Sequence, residues 1–179
     1  MPSRSESIEL SERELREIAG YAAGCARRVL PLYEQRRPAD TRPREAIAAA
    51  DAFASGGRRT AALRQHAWAA FRAAREAAAA EPAAADAARA ASHAAGAAFL
   101  HPLADAHQVK HILGAAAHAV RAEELACADG PFSAGPVLDR AREEAPEAVT
   151  AVLGRLPAAP PGGGRVGELM RLLDSALRG

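Results

Sequence analysis

Three histidines and a glycine form the most chemically suggestive pattern in the chain. The stretch HPLADAHQVKHILGAAAHAVRAEELA begins at His101. A helix is expected over about 101–129, and at about 100° per residue His107, His111, Gly114 and His118 share one narrow stripe of it. Val109, Ile112, Leu113, Ala116 and Val120 fall on roughly the opposite side, which predicts a helix packed on both faces at the centre of the protein. The glycine is expected to let another backbone come close. His107 and His111, four residues apart, have the spacing by which a helix offers two imidazoles to zinc. The metalloprotease version needs a glutamate directly after the first histidine as general base. Gln108 stands there, and an amide cannot take the proton. A di-iron bundle needs a glutamate three residues before each histidine, and those positions hold Ala104 and Gln108. The residues therefore predict no metal and no cofactor, with neutral histidines hydrogen-bonded inside a helix interface. The rival reading is a small-ligand or metal-binding protein, an enzyme included, that uses the His107/His111/His118 stripe.

A second cluster, Arg36, Arg37, Asp40, Arg42, Pro43 and Arg44, concentrates positive charge near a helix start, where a phosphate or a partner's carboxylate could bind. Glu34, Asp40 and Glu45 nearly balance it. Arg42 and Arg44 are the candidate partner contacts, because guanidinium groups pair bidentately and are enriched at interfaces. Both are expected on the surface. Trp68 and Phe71 read as core fillers between small residues. Gly162–Arg165 lacks the terminal Gly-Lys-Ser/Thr and the preceding strand of a phosphate loop, so it reads as a connector. Ser92 and His93 are merely adjacent, and nothing around Cys25 marks a nucleophile. No catalytic residue is expected.

The elements that must position these residues are all helical. Ser11-Glu12-Arg13-Glu14 is a capping box, and the helix behind it carries Leu15, Ile18, Ala22, Cys25 and Val29 on one face until Pro31 should end or kink it. Asp40 or Thr41 should cap a second helix, 42–55, closed by Gly56-Gly57. Further helices are expected at about 58–80, 83–100, 101–129, 136–155 and 165–177. Nothing alternates with period two and β-branched residues are scarce, which argues against strands. The expected architecture is all-α: a single domain over 1–179, about seven helices in an orthogonal or bundle-like array. Residues 1–10 should be frayed, and 157–164 should form a Pro/Gly hinge before the last helix. That last helix should dock through Leu169, Leu172 and Leu173.

Composition narrows the function classes. The 179 residues include about fifty alanines, one lysine (Lys110) and no asparagine, the usage expected of a GC-rich bacterial genome such as an actinobacterium. Alanine favours helix and costs no side-chain entropy on burial. A net charge of +1 offers no strong field for nucleic acid or an anionic membrane. Two cysteines far apart do not make a disulfide framework. The first residues lack the apolar core of a leader and no run approaches a membrane span, so the cytoplasm is the expected location.

Three blocks resemble one bacterial family. They are AGYAAGCARRVLPLYEQRRPADTRPREAIAAADAFASGG, AAGAAFLHPLADAHQVKHILGAAAHAVRAEELA and the terminal RVGELMRLLDSALRG. The Pro-x-Asp-x-Arg-Pro-Arg loop and the His-x-x-x-His-x-x-Gly-Ala-Ala core, His107 to Ala116, carry most of the likeness. The family is that of immunity-five-like immunity proteins of bacterial polymorphic toxin systems. The resemblance implies an all-helical, non-catalytic protein that binds and neutralises a co-encoded protein toxin. It transfers no catalytic residue; His107, His111, Gly114 and His118 carry over as signature positions only.

Overall fold

The computed structural model describes residues 6–127 and 130–179. The expected end of the histidine helix at Asp129, and residues 1–5 of the expected frayed terminus, lie outside them. The described residues form eight α-helices in an orthogonal, bundle-like array with no sheet. They are α1 (Glu12–Glu34), α2 (Arg42–Ala54), α3 (Ala61–Ala77), α4 (Pro82–Gly96), α5 (Val109–Ala126), α6 (Ala134–Glu143), α7 (Glu147–Leu153) and α8 (Gly164–Arg178).

The Ser11 capping box forms as the sequence predicts. Glu14 N–H donates to Ser11 Oγ at 3.1 Å, and Ser11 N–H donates to the Glu14 carboxylate at 2.8 Å. Pro31 does not end α1. It sits in the last turn, where one missing donor is tolerable, and its own carbonyl accepts from Gln35 N–H at 3.0 Å. The expected helix at 136–155 is instead two, α6 and α7, because Pro146 cannot continue the first. That break accounts for eight helices rather than seven. Residues 6–8, read from sequence as frayed, pair with the segment before α5: Ile8 N–H donates to the Pro102 carbonyl and Ala104 N–H to the Glu6 carbonyl. This isolated antiparallel bridge joins Ser7 and Leu103.

The middle of the array is α4 and α5. Along α4 the buried residues are Ala84, Ala85, Asp86, Ala87, Ala88, Ala90, Ala91, Ala94 and Ala95. With mostly methyl groups on its buried faces, α4 packs closely on α1, α3 and α5. Ser92 Oγ donates to the Ala67 carbonyl of α3 at 2.8 Å, fixing one of those contacts. On α5, Val109, Ile112, Leu113, Ala116 and Val120 are all buried, and the helix touches α1, α4 and α8. The larger buried side chains, among them Ile18, Tyr33, Leu100, Leu153, Leu169 and Leu173, fill the space around this alanine centre.

Helix α8 is tied down by its connector. Arg171 donates to the carbonyls of Pro160 and Gly162, Arg178 to those of Leu156 and Pro157, and Ala159 N–H donates to Asp174 at 2.8 Å. The Pro/Gly segment expected to be a hinge is strapped to the helix it precedes. Leu169 and Leu173 are fully buried, whereas Leu172 is 45% exposed, so the docking face is narrower than the sequence suggests.

Candidate functional site

The histidine stripe divides in three. The chain over 101–108 is a loop followed by a 3-10 turn, Ala106–Gln108, because Asp105 caps that turn by accepting from His107 N–H at 2.8 Å. Regular helix begins only at Val109, so His107 is exposed and off the α5 stripe. His111 is half-buried on the first turn of α5, where burial, then the Lys110 charge, lowers its pKa. His118 lies deeper and its Nδ1 is 2.7 Å from Asp86 Oδ1 on α4. Asp86 is 6% exposed, a buried carboxylate satisfied by His118 and, at 3.5 Å, by Arg89.

His93 is the residue that sequence reading passed over. From α4 it stacks on His118, with ring centroids 5.0 Å apart and planes 24° from parallel. Gly114 makes room for it: a Cβ at that position would lie 2.8 Å from His93 Cγ and 2.9 Å from Cε1. The glycine therefore admits an imidazole, not the second backbone expected. Burial, reinforced by His118, His111 and Lys110 nearby, pushes the His93 pKa down to about 3. Asp86, His118 and His93 thus form a buried polar column between α4 and α5. The described residues include no group of three or more His, Cys, Asp or Glu placed to hold a metal ion. His107 and His111 are not brought to a common site with His118.

The arginine turn is a bound network. Arg42 forks to both oxygens of Asp40, at 2.9 and 2.7 Å, and reaches Glu76 on α3 at 2.6 Å. Tyr33 donates its hydroxyl to Asp40 at 2.6 Å, and Arg37 pairs with Glu81 at 2.7 Å. Arg42, and after it Tyr33, hold the Asp40 carboxyl well below the ordinary carboxylate range despite partial burial. Arg42, expected on the surface, is 29% exposed and fastens the start of α2 to the end of α3. Arg44 is 65% exposed and carries a single pair, with Glu34 at 2.6 Å.

The surface with the composition of an interface lies on α3. Trp68 is 57% and Phe71 38% exposed, contrary to the core placement expected, and their rings meet edge to face at 5.7 Å. Helical spacing places Arg64, Arg72 and Arg75 on the same face, and all three are exposed. Among the described residues none of them forms an ion pair; Arg64 instead lies over the Phe99 ring, 4.5 Å from its centroid. The opposite face, Leu63, Ala70, Ala73, Ala74 and Ala77, is the buried one. The signal was present in the sequence, since Trp68 shares a stripe with three arginines and not with Leu63 or Ala70.

No helix among the described residues is long and apolar enough to cross a membrane. Comparison with curated proteins and with solved structures finds no match. A family model matches residues 8–149, which covers the arginine turn, the α3 face and the whole histidine segment but not α8. The chain belongs to the family described as Imm-5 like putative immunity protein.

Proposed function

We propose that this protein neutralises a bacterial toxin by covering part of the toxin's surface, without turnover, and that the outer face of α3 makes the contact. One observation carries the reading. An exposed tryptophan and phenylalanine are flanked by three arginines that have no ion-pair partner among the described residues. Tryptophan and arginine dominate the energetics of protein interfaces because each buries a large area and presents directional donors. Leaving such a face in water is unfavourable for the free protein, so it has its use against a partner.

The charge of the face specifies the partner's chemistry. Arg64, Arg72 and Arg75 require carboxylates opposite them, around an apolar pocket that receives Trp68. Arg44, at the start of α2, is the exposed arginine of a segment that Glu45 and His66, 4.0 Å apart, bring beside α3. Arg42 supports this segment by holding Glu76. We place the complex in the cytoplasm, where a toxin would meet its producer's own targets.

The test is protection of a host that expresses the toxin gene neighbouring this one. Wild-type chain should restore growth, and Trp68→Ala/Arg72→Glu should not, while its melting temperature stays near wild type. Full protection by that variant would remove α3 from the interface. Failure of the wild-type chain to protect would remove the toxin-neutralising reading itself.

A further inference from the structure

On the far side of α4 and α5 from α3, a cavity of about 320 Å³ opens between the start of α5, the start of α8 and the loop before it. This lies at the small end of the range for small-molecule sites. One helix glycine, Gly167, borders the cavity, and a second, Gly114, lies against the lining residue His93; both are poorer helix formers than alanine. Gly114 lets His93 lie across α5, as described above. A Cβ at Gly167 would lie 3.0 Å from the Gly162 carbonyl carbon, so glycine there lets the loop fold tightly over the first turn of α8. The loop makes that turn with Gly162 and Gly163 at φ of 86° and 76°. Arg171 then holds its carbonyls, so the wall is fixed without any ligand.

The lining is apolar, from Pro160, Pro161, Val166 and Met170, except for Lys110, His107 and the neutral His93 ring. No carboxylate lines it. Lys110, the only lysine of the chain, forms no ion pair with any described residue. Arg165, at the start of α8, is committed elsewhere, to Glu124 and Glu168. An ammonium and the His107 imidazole beside an apolar pocket match an anion that carries a hydrocarbon body, and the ammonium disfavours a cation.

We propose that this cavity binds a small organic carboxylate, with the carboxylate at Lys110 and His107 and the apolar body against Val166 and Met170. The site is separate from α3 and does not depend on the toxin reading.

Isothermal titration calorimetry on the full chain tests it, with hexanoate, hexan-1-ol and inorganic phosphate as probes. Hexanoate should bind saturably, and the alcohol and phosphate each at least about tenfold more weakly, since one lacks the charge and the other the hydrocarbon. Lys110→Gln should weaken hexanoate about tenfold at unchanged helicity by circular dichroism, and Met170→Trp should fill the space and abolish binding. Absence of saturable hexanoate binding would overturn the proposal. So would equal binding of hexan-1-ol or phosphate, or a Lys110→Gln variant that binds hexanoate as wild type does.

Discussion

Helices α3 and α4 are neighbours built from the same alanine-rich vocabulary, yet they spend it in opposite ways. On α4 nine of the fifteen residues are buried, the one buried carboxylate is paired, and the histidine is kept neutral between two helices. On α3 one face is equally buried in alanine, while the other holds the chain's only tryptophan and three arginines in solvent. Alanine does the same physical task in both, letting helices approach closely at no entropic cost. The residues between the alanines make the difference. In α4 they complete an interior and explain stability; in α3 they stay in solvent and form the face proposed to bind a partner. Histidines that attract attention in the sequence can thus be scaffold, and an aromatic pair that looks like core can be the working surface.

This contrast can be broken by substitution, and the interior should respond first. Leu173→Ala, at a fully buried position that docks α8 on α5, should cost about 2–5 kcal/mol in chemical denaturation. Leu172→Ala, one residue away and exposed, should cost little. Equal effects would mean that α8 does not dock as described. Gly114→Ala should destabilise by about 1–3 kcal/mol, because its methyl meets the His93 ring. Adding His93→Ala should recover part of that loss, and strictly additive costs would show that the two residues do not touch.

The third effect depends on pH. The folded chain refuses a proton at His93 until about pH 3, whereas the unfolded chain accepts one near 6.5. Stability from this residue is complete above about pH 6.5 and falls as pH drops toward 3, by at most about 1.4 kcal/mol per pH unit. His118, His111 and Lys110 lie near the same ring and deepen the effect that burial begins, while Asp86 faces His118 behind it. Asp40 shifts in the same sense but acts only below the ordinary carboxylate range, near pH 4. Thermal melts between pH 7.5 and 4.5 should therefore decline in wild type and decline less steeply in His93→Gln, with His111 supplying part of the remainder; parallel curves would contradict a buried neutral His93. The smallest stability change belongs to the working face. Trp68→Ala and Phe71→Ala should each stay within about 0.5 kcal/mol of wild type, and a larger loss would return those rings to the core.

Much of this was legible in the residues. The capping box at Ser11, the alanine-driven helices, the apolar side of α5 and the all-α class follow from local chemistry that tertiary contacts did not overrule. The proline at 31 misled because its cost depends on its place within the helix, and α1 had only one turn left. The start of α5 misled because Asp105 offers an alternative cap that no hydrophobic period reveals. His93 was invisible because its partner His118 lies on another helix, and no spacing within one helix encodes a contact between two. Arg42 looked exposed for the same reason: Asp40 is adjacent in sequence, but Glu76 comes from α3. The α3 face is legible in angular position, since Trp68 and Phe71 fall among Arg64, Arg72 and Arg75, whereas residue type alone points those rings to the core.

Hydrogen exchange on the complex with a toxin against which the chain protects in the growth assay tests the central claim most directly. Amides of α3, residues 61–77, and of the start of α2 around Arg44 should slow on binding, while those of α5 and α8 should exchange as in the free protein. Protection confined to α5, α8 or the histidine segment, with α3 unchanged, would contradict the assignment of the working surface to α3.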